Sequence, residues 1–190
     1  MRELAKMVIV LAVICGLSGL SLSYLKQTTA PLIEAQVLAR VQAPAIAAIY
    51  SAAENDPVAE RQRFDSPSGT ITVFPYKLKD KLVAVALEAK SKGYGGDMGV
   101  MVGFDVERDV LLGIKITEMK ETAGIGTLVD APKFSSQFKN SGLAVDLKSK
   151  GGAIDAVSGA TISSTATVGA VQKAAAQYQA IKAHIVETWK

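Results

Sequence analysis

A chain of 190 residues that is 49% hydrophobic and carries a formal charge of +3 has room for one substantial domain and an accessory segment. Its 21 basic residues are scattered rather than massed on one stripe, which excludes a nucleic-acid footprint. One cysteine and one histidine leave no disulfide framework and no cysteine-based or histidine-rich metal cluster.

From Met7 to Leu25 no charge falls between Lys6 and Lys26. As a helix that run of roughly 19 residues just spans a bilayer core of about 30 Å. A cleaved signal peptide is the competing reading, but no small-x-small cleavage site follows cleanly and the apolar run is longer than a usual signal core. Cys15 is no lipidation signal either, because Ile14 stands where a small residue is required. The segment reads as an uncleaved anchor over 1–26. Arg2 and Lys6, offset by Glu3, precede the apolar run and Lys26 and Arg40 follow it, a weak charge bias; a short basic N-terminus before a large domain favours that domain on the extracytoplasmic side.

Thr28-Thr29-Ala30-Pro31 predicts a helix cap with proline in the first turn. Ile33, Val37 and Val41 then keep helical spacing until Pro44 breaks or kinks the pattern. Asn55-Asp56-Pro57 and Ser66-Pro67-Ser68-Gly69 are turn signals, so 27–68 reads as a helical and irregular connecting segment, with a sheet only after Gly69. Thr70 to Tyr76, Leu82 to Ala89, Gly99 to Val106 and Val110 to Thr117 are rich in β-branched or aromatic residues. Lys79-Asp80 and Glu107-Arg108-Asp109 separate them at hairpin distances, so an antiparallel meander follows. Pro132 to Phe138 predicts a short helix, and Ile154 to Val157 a short strand. Over Thr165 to Trp189 the residues Val168, Val171, Ala175, Tyr178, Ile181 and Ile185 recur at intervals of three or four, an amphipathic helix whose first task is to cover the sheet. The fold class is α+β, an antiparallel sheet flanked by helices in a domain over 69–190, behind one N-terminal transmembrane helix.

Three stretches carry the functional signal. Lys92-Gly93-Tyr94-Gly95-Gly96 permits close backbone approach to a ligand. Glu121-Thr122-Ala123-Gly124-Ile125-Gly126-Thr127 sets two glycines beside a hydroxyl and a carboxylate, without the frame of a dinucleotide fingerprint. Asp155-Ala156-Val157-Ser158-Gly159-Ala160-Thr161, followed by Ile162-Ser163-Ser164-Thr165, clusters hydroxyls where a loop becomes a helix. There they serve either as caps or at a phosphate site made by free amides and the helix dipole. No nucleophile pairs with a base, since His184 falls near the far end of the last helix. Amides, hydroxyls and glycines with few reactive groups are the profile of a domain whose chemistry belongs to a cofactor.

Taken together and in this order, the three motifs behind one anchor resemble the covalent FMN-binding domain family, and within it the G subunits of Rnf-type ion-translocating electron-transport complexes. In that family a flavin transferase esterifies the FMN phosphate to the last hydroxyl of Asp-x-x-Ser/Thr-Gly-Ala-Thr. The resemblance implies Thr161 as attachment residue, Asp155, Ser158, Gly159 and Ala160 as its recognition sequence, and Ser163 as the nearest alternative hydroxyl. Glu121, Thr122, Gly124, Gly126, Tyr94 and Gly95 are implied as non-covalent contacts. The family's second loop reads Glu-Thr-Pro-Gly-Leu-Gly; here Ala123 replaces the proline and Ile125 the leucine. The implied function is an electron relay through covalent FMN inside a ferredoxin:NAD oxidoreductase that moves sodium or protons, with the other membrane and redox subunits as partners. An extracytoplasmic FMN-binding sensor and a solitary flavin reductase are the alternatives. The implied location is the cytoplasmic (inner) membrane, single-pass.

Overall fold

The structure is a computed structural model and describes residues 2–67 and 69–189; Met1, Ser68 and Lys190, which the expected boundaries and one expected turn include, lie outside it. The chain divides into two compact units at Arg40 and Val41. The first unit is helical. Helix α1, Arg2–Val37, contains Pro31 and buries none of its residues. At 1.5 Å per residue it is about 54 Å long, and it is apolar enough to cross a bilayer. The cap expected at Thr28 and Thr29 is corrected: both hydroxyls donate back to the Leu25 carbonyl, and Thr28 also to Tyr24, so the helix runs through them.

The second unit holds a five-stranded antiparallel sheet in sequential order. A π-helical turn, Leu38–Gln42, leads into α2, Ala43–Ile49, with Pro44 in its first turn. The strands are β1 (Gln62–Ser66), β2 (Gly69–Leu78), β3 (Lys81–Lys92), β4 (Asp97–Asp105) and β5 (Val110–Glu118). Strand β1 falls where irregular chain was expected and pairs with β2 from Gln62↔Val73 to Ser66↔Gly69. The turns follow their residues. Lys79 and Asp80 both take positive φ, 50° and 60°, the two-residue turn whose twist matches the strands. After β4, Asp105 Oδ1 accepts the Glu107 and Arg108 amides.

Beyond β5 come a 3₁₀ turn (Gly126–Asp130), α3 (Pro132–Ser135) with a 3₁₀ continuation to Phe138, and α4 (Thr161–Thr188). The strand expected at Ile154 to Val157 reduces to a single bridge between Leu147 and Ile154. All six residues of the α4 stripe are buried and pack with Val85, Leu87, Val100, Val102 and Phe104 of the sheet. On the opposite sheet face lies α2. The Tyr76 hydroxyl donates to the Ile46 carbonyl at 2.8 Å, burial pushes its pKa up, and a Cβ on Gly103 would collide with the Ile49 side chain. The observed class is therefore the expected α+β.

One ion pair ties α4 to the β4–β5 turn. Lys182 Nζ reaches Asp109 Oδ1 at 2.6 Å and the Tyr178 hydroxyl donates to the same oxygen at 3.1 Å, while the Tyr178 ring stacks on Phe104 at 4.5 Å. The Lys182 hydrogen bond, then that of Tyr178, holds the Asp109 carboxyl below its ordinary value of 3.8. A depressed carboxyl stabilises the fold above its unfolded pKa, and that contribution is lost as pH falls through the folded value. Asp109→Asn, which tolerates the left-handed φ of 53°, should lower stability at neutral pH by about 0.5 kcal/mol, small because solvent screens a half-exposed pair. Urea unfolding at pH 7 should show this gap, and at a pH well below 3.8 the two proteins should unfold alike.

Candidate functional site

The start of α4 is built by a turn. The Ala160 amide donates to the Val157 carbonyl at 3.0 Å and Gly159 sits at φ +77°, a conformation that calls for glycine at the third position of a β-turn. Ser164 fixes the turn from inside the helix: its Oγ donates to the Ala160 carbonyl at 2.9 Å and accepts the Val157 amide at 3.0 Å. The N-cap is Ala160, with no side-chain cap. The reading of this cluster as a hydroxyl cap is thus corrected. Thr161 is the first helical residue, exposed, and its hydroxyl has no partner among the described residues. The first amide of the helix to find an acceptor is that of Ser164, so those of Thr161, Ile162 and Ser163, at its positive end, have no acceptor among the described residues.

Two loops close on this helix start. In the first, the Gly93 amide donates to the Gly96 carbonyl at 2.7 Å. A Cβ on Gly95 would fall inside the Lys120 carbonyl oxygen, and one on Gly93 inside Glu121 Oε1. In the second, the Thr122 carbonyl accepts the amides of Ile125 and Thr127, and Gly124, at φ +75°, donates its amide to Thr127 Oγ1 at 3.0 Å. Glu121 joins all three segments. Its Oε1 accepts the Tyr94 amide at 2.9 Å and its Oε2 accepts the Ser163 hydroxyl at 2.7 Å.

Between them lies a groove of about 460 Å³ lined by Tyr94, Glu121, Thr122, Ile125, Gly126, Gly159, Ala160, Thr161, Ile162 and Ser163, within the range of small-molecule sites. Its lining sets polar groups beside the apolar surfaces of Tyr94, Ile125 and Ile162. The Tyr94 side chain is 72% exposed, Ile162 54% and Ile125 49%. Sequence reasoning names neither Ile125 nor Ile162 as site residues; their signal is a large apolar side chain beside a glycine or hydroxyl motif, which burial in a core explains equally well.

Of the expected residues, Tyr94, Glu121, Thr122, Gly126, Gly159, Ala160, Thr161 and Ser163 share this groove. Gly95 and Gly124 belong to its two loops but not to its lining. Asp155 and Ser158 face a different hollow, with Leu128, Phe134 and Gln137. There the Asp155 carboxylate pairs with Lys148 at 2.7 Å and its amide donates to Gln137 Oε1 at 2.7 Å. Ser163 is only 3% exposed. His184 is exposed far along α4.

The model of the FMN-binding domain family matches residues 93–176, a segment that opens on the Gly93 loop, ends within α4 and contains the whole lining of the groove. The G subunit of the ion-translocating oxidoreductase complex of Methanosarcina acetivorans is 30% identical over 181 residues, covering 91% of this chain and 93% of that one. The G subunit of the proton-translocating ferredoxin:NAD(+) oxidoreductase complex of Clostridium ljungdahlii is 27% identical, covering 88% and 87%. Among solved structures, the C subunit of the Na(+)-translocating NADH-quinone reductase from Parabacteroides distasonis has the same fold. Its TM-score is 0.52 at 20% identity, over 60% of this chain and 64% of that one.

Proposed function

The chain belongs to the FMN-binding domain family that includes the G subunits of ion-translocating oxidoreductase complexes, and from that premise we propose that it is the membrane-anchored flavoprotein subunit of an Rnf-type complex, relaying electrons through FMN esterified to Thr161. One observation carries the reading: an exposed threonine hydroxyl, without a partner among the described residues, stands at the positive end of a long helix in a groove walled by two glycine loops. The donor set fits a flavin phosphate. The Thr161 oxygen would carry the ester and the unpaired amides of Ile162 and Ser163 would hydrogen-bond the phosphate, whose remaining charge the helix dipole favours. Tyr94, Ile125 and Ile162 would offer the ring its apolar and aromatic surfaces. Bound FMN supplies transfer of one or two electrons. A covalent tether makes retention intramolecular, so no dissolved pool is needed to keep the site filled.

In this reading the anchor lies within residues 1–26 and the flavin site within 69–190, on the extracytoplasmic side of the cytoplasmic membrane. A flavin transferase matures the domain, and the other redox and membrane subunits exchange electrons with it. Denaturing electrophoresis under ultraviolet light should show a fluorescent band when the chain is produced with a flavin transferase; a dark band refutes the covalent flavin. Membranes from cells lacking the chain should lose ferredoxin-dependent NAD reduction. Undiminished reduction would place the protein outside such a complex.

A further inference from the structure

Between positions 158 and 167 the chain has six hydroxyl residues, and hydroxyl chemistry alone does not choose among them. Hydrogen bonding does. Ser164 is tied to the Ala160 carbonyl, Thr165 donates to the Thr161 carbonyl at 2.8 Å, and Thr167 donates to the Ser163 carbonyl at 2.9 Å. Ser158 is exposed but faces the other hollow. Of these six, Thr161 and Ser163 are the two that line the groove.

We propose that Glu121 selects the acceptor at the helix start: by holding the Ser163 hydroxyl inside the three-loop cluster it leaves Thr161 as the reactive hydroxyl of the two. The inference rests on the covalent reading above and adds to it a positioning residue. Glu121 is held at both ends, by the Tyr94 amide and by Ser163. Gly126 closes the remaining side, where a Cβ would stand 2.9 Å from Ser163 Oγ. A carboxylate can also activate a hydroxyl by drawing off its proton, but Ser163 is only 3% exposed, whereas Thr161 is exposed. Access decides, and access is set by the folded cluster.

The step forms one ester bond between the chosen oxygen and the flavin-side phosphorus of a flavin dinucleotide. It breaks that phosphorus's pyrophosphate bond, releases a nucleoside monophosphate, passes the hydroxyl proton to the transferring enzyme's base and changes no oxidation state. The test produces the full chain with a flavin transferase and locates the adduct by peptide mass. Wild type should carry it on Thr161 alone, Thr161→Ala nowhere, Glu121→Ala on both Thr161 and Ser163, and the double variant Thr161→Ala/Glu121→Ala on Ser163. Thr161→Ala/Glu121→Gln should again carry none, since the glutamine amide still bonds the serine. The proposal is overturned if Glu121→Ala is modified only at Thr161 or not at all, if the double variant is unmodified or modified at Ser158, or if wild type carries the adduct on Ser163. A wild type without any adduct removes the covalent reading itself, a distinct failure.

Discussion

Thr161→Ala is expected to abolish covalent flavin while leaving the domain folded. The Thr161 side chain is exposed and has no hydrogen-bond partner among the described residues, and alanine is the better helix former. Its loss should therefore change stability by less than about 0.5 kcal/mol. The flavin consequence is all or none, because the other hydroxyls at the start of α4 are hydrogen-bonded or face another hollow. Fluorescence in a denaturing gel should fall to background, with unfolding by urea unchanged. Thr161→Ser keeps an oxygen at the same position and should restore the band. A fluorescent Thr161→Ala protein would move the tether elsewhere.

Gly95→Ala is expected to damage the groove rather than the tether. The added methyl would overlap the Lys120 carbonyl oxygen, a backbone atom that cannot swing aside as a flexible side chain can. Lys120 leads directly into Glu121, and Gly95 follows Tyr94, whose amide Glu121 holds. Forcing these two loops apart should cost about 1–3 kcal/mol, as overpacking does in well-packed regions. Urea unfolding should show that loss. The visible circular dichroism of the flavin, which reports a fixed ring environment, should weaken together with it. An unchanged spectrum would detach the Gly93–Gly96 loop from the flavin site.

The sheet is legible because four of its strands carry β-branched residues between recognisable turns, and α4 because its apolar stripe repeats on one face. Strand β1 is not, since Gln62-Arg63-Phe64-Asp65-Ser66 has a single large apolar residue. As an edge strand it needs no more: Phe64 packs on Trp189 at 5.4 Å while its neighbours face solvent. Sequence pattern starts α4 four residues late, at Thr165. Its hydroxyls suggest loop, but in the structure they bond back to carbonyls one turn earlier and are absorbed into the helix. At the groove, glycine spacing points to two ligand loops, and their meeting with the helix start is a tertiary fact. Glu121 joins residues 27 and 42 positions away, separations that no local pattern encodes. For the same reason the Asp155 motif reads as one unit in sequence but is divided by the Gly159 turn, with Asp155 and Ser158 on one hollow and Thr161 on another.

Covalent attachment comes down to one oxygen atom, that of the Thr161 side chain. The chain is matured with a flavin transferase and digested, and the peptide spanning the start of α4 is fragmented in a mass spectrometer. The peptide should be heavier by FMN less one water, with the increment on Thr161. An unmodified peptide, or an increment on any other residue, would contradict that attachment.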